Sequence, residues 1–221
     1  MQEKTNFLPT GVIFDSDGLM LDTERLILNS WIKLGKLSGW DIGHELFIHT
    51  IGLNEIDTRE TFLEKLGQDF PYDRLYERFL QLVDEEYEKG IPHRPGLITL
   101  LDHLAYRKIP LAVATSADRD VAIRKLSKAG ILERFTAVVC GDEIANGKPA
   151  PDIFLLAAEK LGQDPSSCVG FEDSPAGLRG LHAAGIRSVF VKDLIDIPPD
   201  LKESVWRCCE DLAQAVNLFN G

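Results

Sequence analysis

Hydrophobic residues recur with two different spacings along the chain. Across residues 23–89 they recur with helical spacing, as Leu26, Trp31 and Leu34 do. From Leu111 onward, short apolar runs alternate with helical stretches. This alternation is typical of a parallel sheet with helices on both faces.

The pattern predicts five strands, at residues 12–14, 111–114, 136–140, 167–171 and 188–191. It predicts core helices over residues 118–129, from 151 to near 162, and over 176–184. The first strand belongs to the same sheet as the others, although a helical block follows it. The block therefore interrupts the sheet as an insertion.

The fold class that we expect is α/β, a doubly wound parallel-sheet Rossmann-like core with an inserted α-helical cap domain. Residues 1–22 and 92–221 form the core in this prediction, and residues 23–91 form the cap. Pro92 and Gly96 fall in a stretch rich in proline and glycine, which suits a hinge. Closure of such a cap would exclude water from a site beneath it.

Composition narrows the classes of partner. The chain has 221 residues and a net charge of −11, which disfavours a sequence-independent grip on nucleic acid. No apolar stretch approaches a membrane span and the N-terminus lacks a signal-peptide pattern, so we expect no membrane partner. The four cysteines form no zinc pattern and suit a reducing compartment, which predicts a cytoplasmic protein. We expect a monomer.

Polar side chains follow the predicted strands where each strand ends. They are Asp15-Ser16-Asp17, Thr115-Ser116, Lys148 after Gly147, and Glu172-Asp173-Ser174. Because parallel strands point the same way, these groups converge at one edge of the sheet. Carboxylates crowded together repel one another unless a cation lies among them. An all-oxygen site of this kind suits Mg²⁺, which also binds substrate phosphate oxygens.

These residue types suit phosphoryl transfer. Asp15 can act as the nucleophile that forms an aspartyl-phosphate. Asp17 can protonate the leaving group and later activate water. Lys148 supplies a positive charge for the phosphate, and Thr115, with the backbone N–H groups that follow it at Ser116 and beyond, can hold phosphate oxygens.

Four segments carry a resemblance to a known family: FDSDGL with LDTE at 14–19 and 21–24, ATSA at 114–117, GKPAPDIF at 147–154, and GFEDSPAG at 170–177. With these four segments in this order, the chain resembles the haloacid dehalogenase-like superfamily, and within it the β-phosphoglucomutase-like branch, which has a helical cap. The resemblance implies that Asp15 is the phosphorylated nucleophile, Asp17 the general acid/base, and Thr115 and Lys148 phosphate ligands. It also implies Mg²⁺ bound by Asp15, the Asp17 carbonyl, Glu172 and Asp173.

Each motif also has a simpler interpretation. Asp17-Gly18 alone is a common turn, and Thr115-Ser116 can cap the next helix. Lys148 alone is an ordinary loop residue, and the acidic pair at 172–173 favours the dipole of the helix that follows.

Within the superfamily, several reactions compete. A dehalogenase needs neither Asp17 nor the acidic pair at 172–173, so this reaction is disfavoured. The mutases carry a His where this chain has Ile27, and an Arg where it has Glu55, whose charge would repel a second phosphate. The leading hypothesis is therefore hydrolysis of a small phosphate monoester, a sugar phosphate or a nucleotide-like one. A phosphosugar mutase is the alternative, and a non-catalytic binding or regulatory protein is the alternative of another class.

Specificity is expected to lie in the cap. Asn54, Glu55 and Arg59 are candidate contacts to the substrate. The competing interpretation is that they are the ordinary polar surface of a helix start.

Overall fold

The structure is a computed structural model that describes residues 7–51, 53 and 55–219. In these residues a parallel sheet of six strands has the order β3-β2-β1-β4-β5-β6. The strands are β1 (Gly11–Phe14), β2 (Leu111–Ala114), β3 (Ala137–Val139), β4 (Cys168–Glu172), β5 (Arg187–Val191) and β6 (Arg207–Cys209). The predicted α/β class is confirmed.

The helices comprise an inserted block and a set that covers the sheet. The block contains α1 (Thr23–Ser38), α2 (His44–Phe47), α3 (Glu55–Leu66) and α4 (Tyr72–Tyr87). The others are α5 (Leu97–Tyr106), α6 (Arg119–Lys128), α7 (Asp152–Leu161), α8 (Pro175–Ala183) and α9 (Leu212–Ala215). Among the described residues, none of the helices has the length and apolar character that a membrane span needs.

Strand β1 is buried on both faces. Ile13 packs with the cluster around α7, which includes Phe154, whereas Val12 and Phe14 join the larger cluster on the opposite face. Successive side chains of a strand point to opposite faces, so a strand covered on both sides is apolar throughout. Phe14 stacks on Phe171 of β4, with ring centroids 4.9 Å apart. This packing fixes the end of β1, where the first carboxylate follows.

The helical block leaves and re-enters the core through two adjacent linkers. The backbone N–H of Asp22 donates to the Pro92 carbonyl (2.9 Å), and that of Arg94 donates to the Met20 carbonyl (2.8 Å). Arg94 and Arg25 both form ion pairs with Asp193, at 2.8 and 2.6 Å. The two linkers thus lie side by side at one point of the core. The division into core and cap domains at residues 23 and 91 stays a prediction.

The chain after the helical block contains elements that the sequence pattern did not indicate. Helix α5, strand β6 and helix α9 were not predicted. Helix α5 begins after Gly96, whose φ of +84° is a conformation that suits glycine. A Cβ at Gly96 would lie 2.0 Å from the backbone nitrogen of Ala213, so the start of α5 is set by contact with α9.

Candidate active site

The strand ends bring the predicted residues together. Strand β1 lies between β2 and β4 in the sheet. Asp15 follows β1, Thr115 follows β2, and Glu172 is the last residue of β4. All three side chains are buried, with Thr115 at 2% and Glu172 at 0% exposure.

Lys148 joins two of these strand ends. Its ammonium group donates to Asp15 Oδ1 at 2.5 Å, to Glu172 Oε1 at 2.6 Å and to the Ala114 carbonyl at 3.2 Å. The ammonium also lies 5.1 Å from the centroid of the Phe154 ring. The simpler interpretation of Lys148 as an exposed loop residue is therefore wrong.

Glu172 is held from its other side by the start of α8. Its Oε2 accepts hydrogen bonds from the Asp173 N–H (3.1 Å), the Ser174 N–H (3.0 Å) and the Ser174 hydroxyl (2.9 Å). Gly177 leaves room for this arrangement, because a Cβ there would lie 1.7 Å from Glu172 Oε1. Glu172 thus orients Lys148. A direct role for Glu172 as a metal ligand stays a prediction.

Burial and the closeness of other carboxylates raise the pKa values of two acids at this site. Burial raises the pKa of Asp15 to about 7, a shift that Lys148 opposes and Glu172 reinforces. Burial, followed by the charges of Glu172 and Asp15, raises the pKa of Asp173 well above its usual range. Burial disfavours the charged form of Lys148, but Asp15 and Glu172 outweigh it and raise the pKa of Lys148. Near neutral pH the acids Asp15 and Asp173 therefore keep protons that they would lose in water.

Asp17 faces a different set of partners. Its Oδ1 accepts hydrogen bonds at 2.6 Å from both the Thr23 hydroxyl and the Lys125 ammonium, and Lys125 also contacts Oδ2. Burial opposes the charge of Asp17, but Lys125 and the hydrogen bond from Thr23 hold the pKa of Asp17 below its usual value. Asp17 is thus kept ionised in this structure.

Sequence reasoning did not single out Lys125, and it gave no role to Glu24, which lies in the LDTE segment of the family resemblance. Lys125 is 4% exposed and lies on the inner face of α6 with Ala122 and Leu126. A lysine within the apolar stripe of a helix was the signal that could have identified it. Glu24, in the first turn of α1, is 8% exposed, and burial together with the charge of Asp17 raises its pKa to about 8.

Thr115 and Ser116 begin the loop between β2 and α6. The Thr115 hydroxyl accepts a hydrogen bond from the Ala117 N–H at 3.2 Å. The residue that precedes α6 is Asp118, so neither of the two caps that helix directly. Both line the cavity described below, and their binding of phosphate stays a prediction.

A cavity of about 650 Å³ lies between the strand ends and the helical block. The core lines it with Asp15, Asp17, Thr115, Ser116, Ala117, Asp118, Val121, Lys125, Asp173 and Ser174. The block lines it with Glu24, Ile27, Trp31, Phe47, Thr50, Ile51, Leu53, Glu55, Ile56, Thr58, Tyr72, Tyr76, Phe79 and Leu80. Its volume is in the range of small-molecule sites.

The three cap residues singled out for specificity have different placements. Glu55 lines the cavity. Arg59 does not: it forms hydrogen bonds of 2.8 and 2.9 Å with Asp73 on the exposed surface of the block. Asn54 lies outside the described residues.

The residues at the strand ends fit a divalent cation. Asp173 approaches the loop after β1, because a Cβ at Gly18 would lie 2.3 Å from its Oδ2. Asp15 lies close enough to raise the pKa of Asp173 through its charge, so two carboxylates are near each other here, and the Asp17 carbonyl as a third ligand stays a prediction. The described residues contain no group of three or more His, Cys, Asp or Glu side chains that could hold a metal. Two carboxylates and one carbonyl match the few protein ligands that Mg²⁺ takes beside water.

Comparison with known proteins agrees with this geometry. Residues 12–191 match the family model described as haloacid dehalogenase-like hydrolase. The chain is 29% identical over 179 residues to "Phosphorylated carbohydrates phosphatase" of Thermotoga maritima, which covers 81% of this chain and 83% of that protein. It is 34% identical over 190 residues to "Probable pseudouridine-5'-phosphatase" of Drosophila melanogaster, covering 83% of this chain and 82% of that protein.

Solved structures share the fold. The β-phosphoglucomutase of Clostridium difficile superposes with a TM-score of 0.79, covers 96% of this chain and 98% of its own, and is 24% identical in sequence. At that identity the likeness concerns the fold alone. The family match, which spans most of the chain, agrees with the resemblance inferred from the four motifs. The chain belongs to the haloacid dehalogenase-like hydrolase family.

Proposed function

We propose that the chain is a Mg²⁺-dependent phosphatase that hydrolyses a small phosphate monoester, a sugar phosphate or a nucleotide-like one, through an aspartyl-phosphate on Asp15. The observation that carries this proposal is the placement of Asp15. Its carboxylate lies at the end of β1, is held by Lys148 at 2.5 Å, and borders the cavity. A carboxylate so placed can attack phosphorus without moving the backbone.

Two chemical steps follow from this arrangement. In the first, a carboxylate oxygen of Asp15 bonds to phosphorus, the bond between phosphorus and the ester oxygen breaks, and the alcohol leaves with a proton from Asp17. In the second, Asp17 takes a proton from water as the water oxygen attacks phosphorus, which releases inorganic phosphate and restores Asp15. The ionised state of Asp17 in this structure suits the second step, and the proton that Asp17 takes from water there is the one that it gives to the leaving alcohol in the next turnover.

The remaining residues stabilise charge. Lys148 neutralises the transferring phosphoryl group, and Thr115 and Ser116 supply hydrogen-bond donors. Asp15, Asp173 and the Asp17 carbonyl would hold Mg²⁺, which would add positive charge at the phosphoryl oxygens. The expectations of a monomeric, cytoplasmic protein that does not bind nucleic acid stay predictions.

The cavity disfavours a phosphosugar mutase. A mutase must bind a second phosphate at the far end of its substrate, which calls for cations there. Ile27 and Glu55 occupy the two positions at which the mutases carry His and Arg, and both line the cavity. An acid in that place repels a second phosphate.

A screen of phosphorylated metabolites tests the function. We expect Mg²⁺-dependent release of inorganic phosphate from at least one sugar phosphate or nucleotide, and none in the presence of a chelator. Interconversion of hexose phosphates without phosphate release would instead indicate the mutase. Absence of both activities, with binding of a phosphorylated ligand, would indicate the non-catalytic alternative.

The metal should stabilise the protein more at alkaline pH than at acid pH. Because the folded-state pKa of Asp15 is raised to about 7 and that of Asp173 is also raised, the metal-free folded protein keeps protons that the unfolded chain releases above about pH 4. The stability of the metal-free protein therefore falls as pH rises through this window. Mg²⁺ binds the ionised carboxylates. At about pH 8, with Mg²⁺ about 100-fold above its Kd, we therefore expect the metal to raise the free energy of unfolding by about 2–3 kcal/mol.

Thermal unfolding with MgCl₂ or with EDTA, at about pH 5.5 and about pH 8, measures this difference. The Asp173→Asn variant should lose most of the gain. Asp200→Asn is the matched control, because Asp200 is exposed, pairs with Arg179 and does not line the cavity. An equal gain at both pH values, or an unchanged gain in Asp173→Asn, would contradict the metal site.

A further inference from the structure

The two sides of the cavity differ in chemistry. The core side presents carboxylates, hydroxyls and Lys125, whereas the side formed by the helical block is mostly aliphatic and aromatic. Among the described residues, the block contributes no Lys, Arg or His to the lining, and its only charged groups there are Glu24 and Glu55. The phosphate binds at the core side under the proposed function. The alcohol portion of the ester must then contact the apolar side.

Four aromatic rings on the block form a near-parallel cluster beside the cavity, in which Trp31 also contacts Tyr72 with ring centroids 5.9 Å apart. The planes of Trp31 and Phe79 differ by 12°, those of Phe79 and Tyr76 by 24°, and those of Tyr76 and Tyr72 by 16°. Their centroids are 4.3, 5.7 and 5.3 Å apart in the same order. All four side chains border the cavity, but Trp31, Tyr72 and Phe79 are only 2%, 2% and 6% exposed, whereas Tyr76 is partly exposed. A planar ring in the cavity can pack against the exposed part of Tyr76, by its face or its edge.

The block side of the cavity offers few hydrogen-bond partners to the hydroxyl groups of a sugar that carries no other ring. Each hydroxyl of a polyol loses hydrogen bonds to water on binding and needs a protein partner in exchange. Besides the two tyrosines, the polar residues on this side are Glu24, Thr50, Glu55 and Thr58, and the Thr50 hydroxyl already donates to the Phe47 carbonyl at 2.8 Å. The Tyr72 side chain, 2% exposed, carries a hydroxyl without a hydrogen-bond partner in the described structure. That hydroxyl favours a ligand with a polar edge, as a heterocycle has, over a pure hydrocarbon.

We propose that the substrate is the phosphate monoester of an alcohol that carries a planar, unsaturated ring, and that this ring lies against the side chain of Tyr76, which the rings of Tyr72, Phe79 and Trp31 hold in place. The inference rests on the proposed phosphatase activity and narrows its substrate class. The apolar side of the cavity then discriminates between esters by their leaving alcohol.

Two matched pairs of substrates test the inference. Uridine 5′-monophosphate and ribose 5-phosphate carry the same phosphate on the same sugar, and only the first has a ring beyond the sugar. Benzyl phosphate and cyclohexylmethyl phosphate have the same carbon number, and only the first is planar. We expect kcat/KM to be about tenfold higher or more for the planar member of each pair, mainly through a lower KM, which is the range of one stacking contact.

Each outcome of these assays has one meaning. If ribose 5-phosphate is hydrolysed as efficiently as the nucleotide and the benzyl ester shows no advantage, the ring proposal is overturned and the phosphatase stands. If the nucleotide is preferred but benzyl phosphate and cyclohexylmethyl phosphate are hydrolysed with equal kcat/KM, the block side of the cavity selects for apolar surface rather than for a planar ring. The proposal is then overturned as well. If neither these esters nor any compound of the metabolite screen releases phosphate, the proposed function itself fails.

Substitutions on the block side of the cavity test which side chain causes the preference for a planar ring. Tyr76→Ala should reduce the ratio of kcat/KM for uridine 5′-monophosphate over ribose 5-phosphate severalfold, and Tyr76→Phe, which keeps the ring, should retain it. Tyr106→Ala is the matched control, because Tyr106 is 87% exposed and lies outside this cavity. A full preference in a folded Tyr76→Ala protein would place the ring elsewhere and overturn the assignment. Should Tyr76→Ala not fold, the substrate pairs with the unmodified protein decide the matter.

Discussion

Replacement of Asp15 by Asn is expected to reduce phosphate release by at least about 10³-fold, a loss typical of removing a catalytic nucleophile. The amide has nearly the same shape as the carboxylate but cannot form the aspartyl-phosphate. Lys148 keeps Glu172 as its ionic partner at 2.6 Å, so its charge is not left unpaired. We therefore expect the variant to fold and to unfold close to the temperature of the unmodified protein.

Acid quenching during turnover of a ³²P-labelled substrate provides the direct measurement. The label should appear on the peptide that contains Asp15 in the unmodified protein and be absent in Asp15→Asn. Asp102→Asn is the control, because Asp102 is an exposed residue that pairs with Arg134 at 2.6 Å. Normal turnover by a homogeneous Asp15→Asn preparation would overturn the mechanism.

The sequence predicts the centre of this site because the site follows from strand direction. Apolar runs identify buried strands, and the residues that follow parallel strands must meet at one edge. Asp15, Thr115 and Glu172 were placed correctly by this argument, which needs no knowledge of side-chain conformation. The strand ends themselves shift by one or two residues, as Glu172 does by belonging to β4 rather than to the loop after it.

Features set by contacts between distant segments were not predictable in the same way. Helix α5 begins beside Gly96 because α9 packs there, and the sequence near Gly96 suggests only a hinge. Strand β6 has three residues, one of them exposed, so its pattern is too short to identify. Lys125 pairs with a carboxylate 108 positions away, and Arg59 turns to Asp73 rather than to the cavity. Such pairings depend on tertiary structure rather than on local pattern.

Replacement of Lys148 by Met is expected to lower the free energy of unfolding by about 3–5 kcal/mol at about pH 8, as removal of one partner from a buried ion pair does. The Lys148 side chain is 2% exposed and contacts Asp15 and Glu172 at once. Without the ammonium, two buried carboxylates are left facing each other. Met keeps much of the volume, so the loss reflects charge rather than a cavity. Urea unfolding in the presence of EDTA measures it.

Lys160→Met is the matched control, since the Lys160 ammonium lies 2.5 Å from Glu143 near the surface, with a third of its side chain exposed. Exposed ion pairs contribute about 0–1 kcal/mol to the free energy of unfolding, so this variant should lose little stability. A loss in Lys148→Met no greater than in Lys160→Met would contradict the assignment of Lys148 as the neutralising group.

The loss caused by Lys148→Met should shrink as the solution is made acidic. Lys148 is a main influence that lowers the pKa of Asp15, whereas burial and Glu172 raise it to about 7 even with Lys148 present. In the variant that folded-state pKa rises further, so Asp15 keeps its proton in the folded protein while the unfolded chain releases it above about pH 4. The stability of the variant therefore falls as pH rises from about 4 through the folded-state pKa of Asp15. At about pH 5 the deficit relative to the unmodified protein should be clearly smaller than at about pH 8, and an equal deficit at both would show that packing, not charge, is what Lys148 contributes.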